Sequence, residues 1–332
     1  MNTKIDTKNK DTTVQPVLDR LITKDDLQAR LEEMSQRVMN PREGIYGPHS
    51  IAWKVNRHTD IMFGAGCANL LQLAHPWVSQ AIDQHSKTQT DPLGRLRRTF
   101  LNVHSMVFGS LDQVLDAAVK VHNIHAAITG KASETTGRTR QGSDYHANHV
   151  GAILWVHATL WVTGLRVYEL FHGPLTTPER DQYYEESKLF AFLFGVPQVA
   201  IPESWDDFIA YFDRVVASDE LAVGEVGRQL VEYIFNMKVY LLPILKRHQI
   251  HTALLLPEKL RIEFGLPERS AKNQAKFDFD VKLIGRVMRN APASVKYLPP
   301  YIEATKRIEG SAIGPVTRMT NRILYGQPLL VS

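Results

Sequence analysis

The stretch Asp91–Gly130 constrains the fold most, because it punctuates two helices within forty residues. Asp91 can cap the first helix, and Pro92 suits the first helical position, where a missing N–H costs nothing. Ser110 followed by Gln113 forms a capping box for the second helix, and Gly130 is expected to close it. On the first helix Arg95, Arg98, Thr99 and Asn102 share a polar face, while Leu96, Phe100, Val103 and Val107 form the apolar one. On the second, Val114, Ala118, Val121, His125 and Ile128 fall on one stripe, so His125 is expected to face the core. A core-facing imidazole needs a partner, because a buried polar group left unpaired costs ~1–3 kcal/mol. That partner could be a backbone carbonyl, another side chain or a metal. A second long apolar stripe, running from Val150 through Leu154, Trp161 and Leu165 to Tyr168, also carries a histidine, His157, in its middle.

The rest of the chain reads the same way. Helical periodicity recurs over about 18–40, 50–57, 60–75, 177–195, 204–216, 218–247 (with a break at Pro243), 256–264, 275–290 and 294–308, and no alternating strands are evident. The expected class is all-α, a single-domain multi-helix bundle. Residues 1–17 are expected to be a disordered tail, 18–44 an N-terminal helix and a turn-rich loop, 45–310 the helical body, and 311–332 an irregular tail. The segment Gly64-Ala-Gly66-Cys-Ala is rich in small residues, which suits either close helix packing or approach of a flat ligand to the backbone.

Composition removes several function classes. With 39 basic and 35 acidic residues the charge is nearly balanced and mixed along the chain, so nucleic acid is not an expected partner. A lone cysteine, Cys67, allows neither an internal disulfide nor a cysteine-based zinc site. The N-terminal residues are polar, and the longest apolar run, about 150–171, is interrupted by His157 and falls short of the ~20 apolar residues of a span. The chain is therefore expected to be cytoplasmic, with a peripheral membrane contact left open.

Histidine is the unusual residue. Eight of the thirteen lie between His75 and His157. The pairs His122/His125 and His146/His149 are each spaced to share a helical face, so a non-haem metal held by His122, His125, His146, His149 or His157 is one reading. There is no His-Glu-x-x-His, and the single Glu169-x-x-His172 is half of what a di-iron bundle needs. A b-type haem is the other reading: one core-facing histidine such as His125 for the iron, apolar helices for walls, and Arg95, Arg97 and Arg98 as cations for the propionates. Covalent attachment is excluded, since there is no Cys-x-x-Cys-His.

Several short motifs together resemble a known family. They are Ala74-His75-Pro76, Arg95-Leu-Arg-Arg98-Thr99, Ile124-His125-Ala126, Tyr145-x-Ala147-Asn148 and Trp155-Val-His157-Ala-Thr-Leu160. The chain is similar, over roughly residues 45–310, to the MpaB-type oxygenases and more distantly to the rubber oxygenase, latex clearing protein. The resemblance implies a globin-reminiscent helical fold with a buried b-type haem pocket, iron held by His125, and dioxygen as co-substrate. It also implies that Arg98 and Thr99, with Arg95, act on the distal side, and that His157 stands behind the ligand or replaces it, with His122 beside it. Arg98 takes the place of a lysine in the rubber branch, and an arginine stays protonated, so it can polarise but not accept a proton. His122 takes the place of an arginine in that branch. The expected function is haem b-dependent oxygenation of an apolar, unsaturated small molecule, with cleavage of a C=C bond implied by the resemblance. A cytoplasmic chain does not meet an extracellular polymer, which argues against rubber as the substrate. The alternatives are a non-catalytic protein that binds haem or an apolar ligand, and the histidine-ligated metalloenzyme above.

Overall fold

In the computed structural model the described residues are 16–86, 91–235 and 242–331. Residues 1–15 of the tail expected over 1–17, and residues 236–241 of the helical stretch expected over 218–247, lie outside them, while residues 16 and 17 are helical. The order is α1 (Lys24–Arg37), a 3-10 turn (Pro41–Glu43), α2 (Ile51–Asn56), a second 3-10 turn (Thr59–Gly64), α3 (Ala65–Leu73), α4 (Pro76–His85), α5 (Pro92–Phe108) and α6 (Leu111–Ala126). A two-stranded antiparallel hairpin follows, β1 (Thr129–Lys131) with β2 (Asp144–His146), in register Gly130↔Tyr145. Then come α7 (Val150–His172), α8 (Thr177–Phe192), a third 3-10 turn (Gln198–Ala200), α9 (Trp205–Ala217), α10 (Glu225–Phe235), α11 (Leu242–Leu255), α12 (Glu258–Glu263), α13 (Ala271–Asn290), α14 (Ala293–Lys296), α15 (Pro299–Glu309) and α16 (Pro315–Tyr325). The fold is all-α, as expected, with the small hairpin its sole sheet among the described residues.

Helix α7 is the axis of the core, with α2, α3, α8, α9, α13 and the Thr59–Gly64 turn packed around it. It spans 23 residues, close to the stretch expected, and contrary to expectation is long and apolar enough to cross a membrane by length and composition, but 72% of its most apolar window is buried inside the protein. The small residues at the start of α3 serve packing. A Cβ on Gly64 would press on Thr163 and Val167 of α7 at 2.8 and 2.7 Å, and one on Gly66 would collide with His248 and Thr252 of α11. Tryptophans in this core keep their N–H satisfied: Trp53 donates to Val107 O at 2.7 Å and Trp155 to Leu71 O at 2.9 Å.

Helices α5 and α6 form the antiparallel pair expected from their punctuation. Asp91 accepts from Gly94 N–H at 2.9 Å, and Ser110 N–H donates to Gln113 Oε1 at 2.9 Å. Gly130 does not close α6, which ends at Ala126. It sits instead in β1, where the Tyr145 hydroxyl lies so close that a side chain would clash. The tail is not irregular either, since α16 packs against α5 and α15.

Candidate functional site

Arg95, Arg98 and Thr99 lie on α5, and His122 and His125 on α6. The two helices turn about Gly109-Ser110, so each residue on one is level with the residue equally far from the turn on the other. Arg98 is thereby level with Val121, and Arg95 with Ile124, placing the arginine cluster and the histidine pair at the same end of the hairpin. Arg95 is half-buried, and burial followed by the charge of Arg98 lowers its pKa. Arg97 caps the end of α16 by donating to Ile323 O at 2.8 Å. Arg98 is 58% exposed and meets Asp91 at 3.3 Å, and Thr99 is exposed. The structure therefore brings Arg98 and Thr99 to the right end of the hairpin without turning them inward.

The α6 stripe is rotated by about one position from the expected one. Val114, Ala117, Ala118, Val121 and His122 are buried, while His125 is half-buried because α6 stops one residue later and the chain turns into the hairpin. Asn148 anchors that turn with its side-chain N–H donating to His122 O at 3.3 Å. His122 Nδ1, His125 Nδ1 and Asn148 Oδ1 are all buried without a hydrogen-bond partner. Burial, then the neighbouring His122 and His146, holds His125 at about 4. Burial and then His146 also lower His122.

His157 sits in the middle of α7 and is 1% exposed. Its ring is walled by Trp161, Phe190 and Phe208, with centroids at 6.0, 6.2 and 5.7 Å. Neither ring nitrogen has a partner, and burial drives its pKa down to about 3. His125 borders the same aromatic group: it stacks on Phe194 at 6.3 Å, and Phe194 packs on Phe190 at 5.4 Å. The fold thus joins His125 and His157, about thirty residues apart in sequence, through one phenylalanine pair.

The other histidines resolve differently. His146 lies in β2 and accepts from Asn148 N–H at 2.9 Å, while His149 precedes α7 and packs edge-on against Trp77 at 4.5 Å, so the two do not share a helical face. They border an open depression of about 500 Å³ between the hairpin and α4. Among the described residues, the group whose ligand atoms lie near enough to one another to hold a metal is a different one, His58, Asp60 and His172, at 4.8 Å or less. Glu169, the other half of the Glu-x-x-His spacing, is turned away, accepting from Leu175 N–H and Arg180 at 3.2 Å each. The short His58-x-Asp60 spacing was the one local signal of that group; His172 joins it through the tertiary fold.

Comparison with known families matches residues 53–290 to the family described as ER-bound oxygenase mpaB/B'/Rubber oxygenase, catalytic domain. The chain belongs to this family. The match covers α3 to α13 entire, and with them every oxygenase candidate above. No curated protein and no solved structure gives a significant match.

The residues present fit a haem of the b type. An iron ligand must be a neutral imidazole, and burial keeps both His125 and His157 neutral at pH 7. Both nitrogens of His157 are buried without a partner, and His125 has only the Asn148 side chain beside its ring. His157 is ringed by aromatic side chains and His125 stacks on one, apolar surfaces that suit a porphyrin face, while the half-buried Arg95 stands at the same end of the hairpin as His125.

Proposed function

We propose that this oxygenase-family protein is haem b-dependent and oxidises an apolar, unsaturated small molecule with dioxygen, cleaving a carbon–carbon double bond. The observation that carries the reading is the fully buried, aromatic-walled His157 with neither nitrogen satisfied, sharing its phenylalanine pair with the partnerless Nδ1 of His125. Leaving such atoms unpaired costs ~1–3 kcal/mol each, a cost that a bound group would remove.

His125 would hold the iron, with His157 behind it or as the alternative ligand. Haem, when bound, supplies a redox-active iron that reacts with dioxygen. Arg95 would neutralise a propionate, and Arg97 would do so only on leaving Ile323 O. Arg98 and Thr99 would serve as hydrogen-bond donors where negative charge develops on oxygen. Arg98 stays protonated, so it stabilises charge but takes no proton. To reach inward it must leave Asp91, and an exposed contact of that kind is worth under ~1 kcal/mol. Phe190, Phe194, Phe208 and Trp161 supply apolar walls that select an apolar substrate and exclude water.

The test is the absorption spectrum of the full chain expressed with iron and a haem precursor. A Soret band is expected, lost in His125→Ala and retained in His157→Ala. Arg98→Ala should keep the band while dioxygen consumption with unsaturated terpenoids or lipids falls about 10²–10³-fold. A colourless protein overturns the reading. A haem protein that consumes no dioxygen with any such compound is a binding protein instead.

A further inference from the structure

We propose that His58, Asp60 and His172 form a second, independent site that binds one divalent first-row transition metal, of which Zn²⁺ is the best match. Their donor atoms all lie within 4.8 Å of one another. His172 Nε2 is 3.2 and 3.1 Å from the two Asp60 oxygens, and the two imidazole rings lie 4.0 Å apart between centroids. Metal–nitrogen and metal–oxygen bonds of ~2.0–2.2 Å put ligand atoms ~3–3.5 Å from each other, so small side-chain rotations close the site. Two imidazoles and a carboxylate suit zinc, iron(II) or cobalt(II), and leave coordination positions open.

The charge balance at Asp60 is the second observation. Its side chain is 2% exposed, and its one ion-pair partner among the described residues is His172. The protein contains a direct contrast. Asp280 makes the same kind of contact with a buried histidine, His251 Nε2 at 2.6 Å, but there Arg247 also spans both carboxylate oxygens at 2.5 and 2.7 Å. At Asp280 the chain supplies its own permanent cation. At Asp60 no permanent cation makes a direct ion pair among the described residues, although burying a carboxylate without one is expensive. The third ligand shows the same demand: His58 is buried, its Nδ1 has no partner, and its Nε2 receives only a long 3.4 Å contact from Arg57.

The ligands are held by rigid parts. His58 and Asp60 flank the start of the Thr59–Gly64 turn, which Gly64 seats directly on α7. His172 is the last residue of α7, and Gly173 at φ +84° turns the chain away immediately after it. Tyr168 stacks on His172 at 4.9 Å, and Tyr297 packs on His58 at 5.4 Å. Arg57 and Lys296 also stand near His58 and repel a cation. Binding must therefore come from direct nitrogen and oxygen coordination, which excludes the hard, oxygen-preferring Mg²⁺ and Ca²⁺. His172 keeps 20% of its side chain exposed, so the open positions face solvent.

The test uses the untagged full chain, stripped with a chelator, with haem counted separately by its pyridine complex so that iron in porphyrin is never scored here. Co²⁺ titration should give one equivalent per chain with visible d–d absorption, displaced by Zn²⁺. His172→Ala and Asp60→Asn should each weaken binding at least tenfold, while Asp280→Asn leaves it unchanged. Should Asp60→Asn fail to fold by circular dichroism, His172→Gln, at the exposed edge, serves in its place. No stoichiometric Co²⁺ binding, or binding that survives His172→Ala, overturns the proposal whatever the haem content proves to be.

Discussion

Helix α7 carries two histidines fifteen residues apart in opposite surroundings. His157 is enclosed by aromatic rings and has nothing to bond; His172 lies against a buried carboxylate. At a rise of 1.5 Å per residue they are separated by about 22 Å, too far to serve one centre. On the proposed function the apolar cage takes a large, flat, apolar-faced partner that brings its own metal. The carboxylate end favours a bare cation. One residue type on one helix thus points to two kinds of ligand, and the neighbours decide which.

Acid should have the largest effect. Burial holds His75 and His157 at about 3 and His104 at about 4. All three are depressed below the ordinary value near 6.5, so between pH 6.5 and pH 4 the unfolded chain binds more protons than the folded one. Stability is therefore lost as pH falls through that window, at about 1.4 kcal/mol per pH unit for each histidine and about 4 kcal/mol for the three. Helical circular dichroism of the cofactor-free protein should collapse between pH 6 and 5. A protein that keeps its helicity at pH 4 would show these rings to be less enclosed than described.

Next comes the saturated counterpart of the Asp60 site. Asp280→Ala strips both His251 and Arg247 of their carboxylate. Removing one member of a buried pair costs ~3–5 kcal/mol, and the partial exposure of Arg247 brings the expectation down to about 2–3 kcal/mol. A urea midpoint shift reads it directly. An unchanged midpoint would mean that the paired environment contributes no more than a surface contact.

His157→Leu tests the unpaired environment with the opposite sign. It removes two unsatisfied nitrogens and keeps an apolar side chain in the cage, so the cofactor-free protein should gain about 1–2 kcal/mol. Loss of stability instead would mean that the imidazole makes contacts in solution that its surroundings do not offer it here.

What the sequence disclosed follows from range. Caps are local, so Asp91-Pro92 and Ser110 with Gln113 were legible and mark real helix starts. The hairpin strands are three residues each, too short for alternation to register. Helix α16 was hidden because its pattern is inverted: it buries Thr317, Asn321 and Tyr325 and exposes Val316, Met319 and Ile323. Asn321 faces inward because it donates to Glu303, a fully buried carboxylate that also accepts Leu330 and Val331 N–H groups at 2.8 and 2.9 Å. Apolar periodicity cannot report a helix anchored by its polar face. The histidines of the proposed oxygenase site were individually visible, but their meeting at Phe190 and Phe194 is tertiary. So is the approach of His172 to Asp60, 112 positions earlier.

The smallest expected change in stability tests where Arg98 belongs. Asp91 both caps α5 and holds Arg98 at the surface. Asp91→Ala should cost about 0.5–1 kcal/mol, the ordinary worth of an N-cap, seen as a small drop in Tm. Its effect on dioxygen consumption is the informative part. If Arg98 works inside the pocket, Asp91→Ala frees it and turnover holds or rises, while Arg98→Ala loses turnover. If the Asp91 contact is itself the working arrangement, the two variants fall together. The pair of measurements separates an arginine that must swing inward from one whose role is to fasten the start of α5.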